Sequence, residues 1–136
     1  MAASPTVRSV FINLPVGDVG RAQAFFEGLG FSADPRFSAE DRAACITLGP
    51  EMSLMLLNRQ VFAAMSPKPV ANTATVAGVL NCLRLGSREE IDRIMEAALA
   101  AGGTEPRPQR EQQGTYGRAF EDPDGHVWEL LWIEGE

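Results

Sequence analysis

The sequence predicts an α+β fold made of two copies of one unit, each reading strand, helix, strand, strand, strand. The first observation behind this is a duplication. Val16-Gly17-Asp18 is answered by Leu85-Gly86-Ser87, and Leu29-Gly30-Phe31-Ser32 by Ala101-Gly102-Gly103-Thr104. Cys45-Ile46, Gly49-Pro50 and Leu56-Leu57 are answered by Ala119-Phe120, an Asp-Pro-Asp-Gly turn and Leu130-Leu131. Repeats of this size bury their faces against one another. The second observation is the segment from Phe120 to Trp132, FEDPDGHVWELLW. Asp122-Pro123-Asp124-Gly125 is a tight turn: Pro fixes one φ, Asp bonds its own backbone, and Gly accepts positive φ. The strand after it alternates, with Val127, Glu129, Leu131 and Ile133 on one face and Trp128, Leu130 and Trp132 on the other.

Taken in order, residues 1–7 read as a tail. Val7 to Val16 is rich in β-formers, with Val10, Ile12 and Leu14 on one face and Ser9, Phe11 and Asn13 on the other. Asp18 then caps a helix whose Ala22, Phe25, Phe26 and Leu29 follow helical spacing, and Gly28 and Gly30 stop it. Strands are predicted at Phe31–Arg36, Ala43–Leu48 and Met52–Leu57, and a short helix at Arg59–Met65. Ser66 to Thr75 has two prolines and no periodicity, so it reads as a linker.

The second half predicts a strand at Gly78–Leu85. Ser87-Arg88-Glu89-Glu90 is a capping box, and Ile91, Ile94, Met95 and Ala98 give the buried face of a helix ended by Gly102-Gly103. Thr104–Arg110 is an edge-like strand weakened by Pro106 and Pro108. Thr115–Phe120 and His126–Ile133 form the last hairpin. The expected organisation is a first module over 8–66, a linker over 67–76 and a second module over 77–136, together one domain.

A chain of 136 residues with 45% hydrophobic content supports a real core. The formal net charge of −6 argues against a nucleic-acid backbone or an anionic membrane as partner. Cys45 and Cys82 have no metal spacing and sit in strand-like apolar contexts, which predicts buried reduced thiols. No run of residues is apolar and long enough for a signal peptide or a membrane span, so a cytoplasmic location is expected. Gly-rich phosphate loops, nucleophile elbows and redox Cys pairs are missing from the sequence.

Leu14 to Phe31 (LPVGDVGRAQAFFEGLGF) and Phe120 to Leu130 (FEDPDGHVWEL) resemble the vicinal oxygen chelate superfamily, which includes glyoxalase I, extradiol dioxygenases, fosfomycin resistance proteins and bleomycin-binding proteins. The resemblance covers about residues 8 to 134. Tyr116 to Glu129 is similar to a bacterial subgroup with the pattern YGRxFEDxDGHxWE. The resemblance implies paired βαβββ modules forming a half-barrel sheet (the glyoxalase/bleomycin resistance/dioxygenase fold), with a pocket on the concave side and often a homodimer. One fold hosts lyases, oxygenases, transferases and binders, so it leaves function open.

In the family's enzymes, four strand positions hold a divalent metal through His, Gln or Glu. Carried over, these positions fall at Phe11, Met55, Leu80 and Glu129; a register shift of two brings in Asn13 or Cys82. A single residue of the aligned set, Glu129, is a usable ligand, and the one histidine of the chain, His126, lies on the opposite strand parity. The expectation is therefore no cofactor, with a divalent metal ion bound through Glu129 as the alternative.

A lone Glu on an apolar strand face requires a partner, because an unpaired buried charge costs several kcal/mol, roughly. Glu129 is solvated, paired with Arg84 or Arg118, bound to a metal, or facing a ligand cavity. In a confined apolar pocket its pKa would rise, making it a candidate catalytic base. Phe11, Met55, Leu80, Val127 and Leu131 either fill the half-barrel as core or, with Asn13, Cys82 and Glu129, line a ligand cavity. Trp128 and Trp132 face the helix as core. Tyr116 and Arg118 are structural or lie at a dimer surface, and His126 caps the turn, pairs with an acidic neighbour or, as the lesser alternative, serves as a ligand.

The functional expectation is a glyoxalase/bleomycin-resistance-like protein that binds a small, partly apolar molecule without a catalytic metal. The alternative is a metal-dependent lyase of the lactoylglutathione lyase type, or a dioxygenase, with an atypical ligand set. A purely structural or regulatory dimer with a filled core is the third.

Overall fold

The computed structural model describes residues 3–135. They divide into two compact units: the described residues to Glu27 with Phe31–Val70, and Gly28–Gly30 with the described residues from Ala71 onward. Each unit holds one four-stranded sheet.

In the first unit the strands β1 (Val10–Val16), β2 (Ser32–Ala33), β3 (Ala43–Gly49) and β4 (Met52–Asn58) lie in the order β1-β4-β3-β2. β1 runs parallel to β4, and β3 and β4 are an antiparallel hairpin. Pro15 continues β1, which an edge strand tolerates because one side of its ladder needs no N–H donors. The register places the half-buried Ile12 and buried Ile46 beside Leu54, and Leu14 and Ala44 beside Leu56, forming the core face. Phe11, Asn13, Ser53, Met55 and Thr47 take the other face by strand alternation.

The helix α1 (Val19–Gly28) starts where the Asp18 carboxylate accepts a bond from Arg21 N (2.9 Å), and it buries Val19, Ala22, Phe25 and Phe26. Gly30 at φ 106° turns the chain out of it, a conformation that favours glycine. The strand expected over Phe31–Arg36 is reduced to Ser32–Ala33. Asp34 then accepts from Arg36 N, and a 3-10 turn covers Pro35–Phe37. Pro35 has no N–H to give to a ladder, and its fixed φ suits the first position of such a turn. The helix α2 (Arg59–Met65) forms where expected, with the Asn58 side chain capping Val61 N at 2.7 Å.

In the second unit the order is β5-β8-β7-β6, with β5 at Leu80–Arg84, β6 at Arg110–Gln112, β7 at Thr115–Glu121 and β8 at Val127–Ile133. β5 is parallel to β8, and β7 and β8 form the final hairpin. Between β5 and β6 lies α3 (Arg88–Ala100). It buries Ile91, Ile94, Met95 and Ala98 and packs on β7 and β8. Ser87 Oγ accepts from Glu90 N at 3.1 Å as the capping box requires, but Glu90 reaches back to Gly86 N instead of Ser87 N. Gly102 at φ 103° ends the helix, and Gly103 N bonds Ala98 O at 2.8 Å.

The edge strand expected at Thr104–Arg110 lies later, at Arg110–Gln112. Thr104 makes an isolated bridge with Glu121, and the two prolines that follow cannot donate to a ladder. Trp128 and Leu130 face inward as the alternation requires; the Trp128 ring stacks on Phe120 with centroids 6.4 Å apart. Cys45 is buried, but Cys82 is exposed, against expectation, because β5 is an edge strand. Neither is in a disulfide. No helix among the described residues is long and apolar enough to cross a membrane.

Candidate functional site

The turn that feeds β8 is built around a buried carboxylate. Asp122 Oδ1 accepts from Asp124 N (2.9 Å) and His126 N (3.0 Å), and Oδ2 accepts from Trp128 Nε1 (3.0 Å). Burial pushes the Asp122 carboxyl up, while neighbouring His126 and these donors act to lower it. Gly125 adopts φ 88°, and a Cβ there would overlap the Thr73 carbonyl. Thr73 Oγ1 donates to Asp124 O at 2.6 Å, so the segment before β5 is fastened over the turn. His126 is buried at this turn, on the expected parity opposite Glu129, with its backbone N–H on Asp122.

The face of β8 away from α3 carries Val127, Glu129, Leu131 and Ile133. The hairpin register adds Gly117 beside Leu131 and Thr115 beside Ile133, and β5 adds Cys82 beside Glu129 and Leu80 beside Val127. A cavity of about 260 Å³ opens on this face, lined by Cys82, Arg107, Arg110, Gln112, Thr115, Gly117, Glu129, Leu130 and Leu131. Gly117 supplies no side chain to this lining, and a Cβ there would approach nothing closer than Leu130 O at 3.6 Å. That is ordinary van der Waals contact, so a side chain at 117 would fit there without displacing the backbone.

Glu129 pairs with Arg107, whose Nη2 donates to Oε2. Arg84 and Arg118, the two partners expected from the sequence, are not the ones it takes. Arg118 instead crosses the α3 side of the sheet to Asp92 (3.0 Å) and to Glu105 (2.9 Å), and Tyr116 OH donates to Asp92 at 2.6 Å. Tyr116 and Arg118 are thus both tied to Asp92 on α3. The hydrogen bond from Tyr116, then that from Arg118, holds the Asp92 carboxyl below its ordinary range; Arg118 does the same for Glu105.

Arg107 lies between Pro106 and Pro108. Its Nη1 is buried and has no hydrogen-bond partner. A buried donor left in this state costs about 1–3 kcal/mol. The Cys82 thiol is pushed up first by burial and then by the nearby Glu129 charge, which makes it a poorer nucleophile than a free cysteine.

The sequence-chosen residues fall in several places. Cys82, Glu129 and Leu131 share the cavity just described. Asn13 borders a hollow of about 330 Å³ with Phe62, Met65, Ser66 and Pro67. Phe11, 44% exposed, lies in the first unit against Phe37 at 5.5 Å between ring centroids, edge to face. Leu80 is 59% exposed at the start of β5. Met55 and Val127 are half-buried on β4 and β8, and neither they nor Leu80 line these hollows. Sequence reasoning missed Arg107, Arg110, Gln112, Thr115 and Gly117. Thr115 and Gly117 were within reach: pairing outward from the Asp122–Gly125 turn puts both on the Glu129 face.

The divalent metal implied by the fold family does not fit the donors present. Within each unit the register sets Met55 level with Asn13 and Glu129 level with Cys82. Whichever register is used, the positions offer one carboxylate, already engaged by a guanidinium. The other side chains offered are a thiol, an amide, a thioether and hydrocarbon. Among the described residues no group of three or more His, Cys, Asp or Glu converges as a metal would need.

Known proteins agree with this architecture. A family model described as bleomycin resistance protein-like N-terminal matches residues 8–49. A hypothetical protein from S. aureus is 27% identical, with a TM-score of 0.79 over 95% of this chain and 96% of that one. A glyoxalase-related enzyme from Fulvimarina pelagi is 24% identical, with a TM-score of 0.75 over 93% and 88%. A genomically encoded fosfomycin resistance protein from Listeria monocytogenes is 18% identical, with a TM-score of 0.65 over 97% and 94%. A comparison with curated protein sequences gives no match. Two four-stranded βαβββ sheets define the glyoxalase/bleomycin resistance/dioxygenase fold. The likeness is one of fold across nearly the whole chain, and of sequence to the bleomycin resistance protein-like model over residues 8–49.

Proposed function

We propose that this chain is a small-molecule-binding member of the vicinal oxygen chelate superfamily that works without a catalytic metal, taking its ligand in the cavity of the second unit. The observation that supports this reading most is the Arg107–Glu129 ion pair at the cavity wall. The one acidic position retained from the family's ligand pattern has a protein cation against it, so its charge is balanced without an ion from solution. The cavity is more polar than an apolar half-barrel pocket. Leu131 provides hydrocarbon contact, while Gln112, Thr115 and the two arginines provide directed hydrogen bonds.

We further propose a cytoplasmic homodimer. β1 and β5 are sheet edges, and each carries exposed apolar residues, Val10 and Phe11 on the first and Leu80 on the second. Open, apolar edges invite pairing with another chain. The lyase or dioxygenase reading needs a metal at Glu129, and the donor set disfavours it.

Native mass spectrometry of freshly expressed protein, purified without chelator, tests the proposal. A dimer mass carrying a small organic molecule and no metal supports it. A stoichiometric divalent ion that disappears in Glu129→Gln would overturn it in favour of the metal enzyme.

A further inference from the structure

We infer that the second unit's cavity recognises an oxyanion on its ligand, a carboxylate or a phosphoryl-type group, through Arg107 and Arg110; this rests on the reading of that cavity as a ligand site. The charges on the cavity wall do not balance. Arg107, Arg110 and Glu129 all line it, giving two cations against one anion in a chain whose net charge is −6. An acidic protein that keeps a locally positive hollow attracts anions to that place and repels them elsewhere.

The two arginines also have unused donors. Nearby arginines are tied down: Arg118 to Asp92 and Glu105, Arg88 to Glu111. Arg110, at the first position of β6, has no side-chain hydrogen bond or ion pair among the described residues. Arg107 spends Nη2 on Glu129, while Nη1 is buried without an acceptor. A guanidinium presents its donors as a planar fork that matches two oxygens of one oxyanion. Glu129, paired with Arg107, positions that fork and leaves the cavity positive.

The rest of the lining sets the size of the ligand. Gly117 is the cross-strand neighbour of both Arg110 and Leu131. Its missing side chain leaves room for a ligand body between the cation and the hydrocarbon wall. At about 260 Å³ the hollow lies just below the roughly 300–1,000 Å³ of drug-sized pockets. The ligand class is therefore a small acid with a short apolar portion, with Thr115 and Gln112 available to its neutral polar groups.

The test uses the full chain, labelled with 15N, and follows the side-chain Nε–Hε signals of its arginines during titration with butyrate, inorganic phosphate and the uncharged butyramide. Saturable shifts at Arg107 and Arg110 with an anion, stronger than with butyramide, are expected. Butyrate acting alone would assign a carboxylate, and phosphate acting alone a phosphoryl-type group; either supports the inference. Arg110→Gln is expected to weaken anion binding about tenfold or more while leaving the amide's effect unchanged. Gly117→Leu, which fills the hollow, is expected to abolish both. Should Gly117→Leu fail to fold, Arg110→Gln decides, because Arg110 is exposed and supports no packing.

Equal responses to butyrate and butyramide, both insensitive to Arg110→Gln, would overturn the anion inference and leave the cavity reading standing. Unsaturable shifts shared with exposed Arg8 and Arg42 would also overturn it. No response at any lining residue to any probe would remove the cavity reading together with it.

Discussion

Arg107 donates from Nη2 to Oε2 of Glu129, joining a loop between two prolines to the centre of the last strand. The pair is part-exposed, at 26% and 29% of its side-chain surfaces, so solvent screens much of its attraction. Removing Arg107 is accordingly expected to change folding stability by no more than about 1 kcal/mol. Urea denaturation of Arg107→Ala checks this. Ligand retention in native mass spectrometry is expected to fall in the same variant, separating a binding role from a merely structural one.

The turn before β8 should be far less tolerant. Gly125 holds φ 88° directly against the Thr73 carbonyl. Gly125→Ala adds both left-handed backbone strain and a collision with backbone that cannot swing aside. The expected loss is about 2 kcal/mol or more, read as a lower denaturant midpoint with an unchanged slope. A loss below about 0.5 kcal/mol would mean that the segment around Thr73 is not fastened there.

Trp128 has a polar as well as an apolar task. Its indole N–H donates to Asp122 Oδ2 inside the protein, and its ring stacks on Phe120. Trp128→Phe keeps an aromatic ring but takes one donor from a buried carboxylate. It is expected to destabilise by about 1–3 kcal/mol, with part of the effect from lost volume. Asp122→Asn in the Trp128→Phe background then measures the coupling: the double variant should lose less than the sum of the two single losses.

The acid side of the stability curve should depend on Arg118. Asp92 and Glu105 both have carboxyls lowered in the fold, the first by Tyr116 and Arg118, the second by Arg118. A lowered folded pKa contributes stability above the ordinary values of 3.8 and 4.5, and that contribution is lost as pH falls through the folded values. Arg118→Met removes a common cause of both shifts. Its stability should therefore fall less steeply with acid than the wild type's, as followed by denaturant midpoints across the acid range. Asp122 acts in the opposite direction: burial raises its carboxyl, so its contribution weakens as pH rises.

The fold was legible because its signals are local. Alternation placed Trp128 and Leu130 inward, the Asp-Pro-Asp-Gly turn fixed the hairpin, and Ser87 and Asp18 marked the two long helices. Errors arose where proline decided the backbone. Pro35 turned an expected strand into a 3-10 turn, and Pro106 and Pro108 delayed β6 to Arg110. Part of the site was legible too, since strand parity put Glu129 and Leu131 on one face. Its charge partner was not: Arg107 lies 22 residues away in a segment without periodicity. Alternation states which face a side chain takes, but gives no information about which loop crosses that face. Cys82 looked buried for a related reason, because an apolar strand reads alike at the edge and in the centre of a sheet.

Under the proposed function, Arg107 satisfies the Glu129 carboxylate in place of a metal ion. Equilibrium dialysis of chelator-washed protein against zinc, nickel and manganese, with metal quantified per chain, tests it most directly. Wild type and Glu129→Gln are expected to retain the same substoichiometric amount. One ion per chain in the wild type, lost in Glu129→Gln, would contradict it.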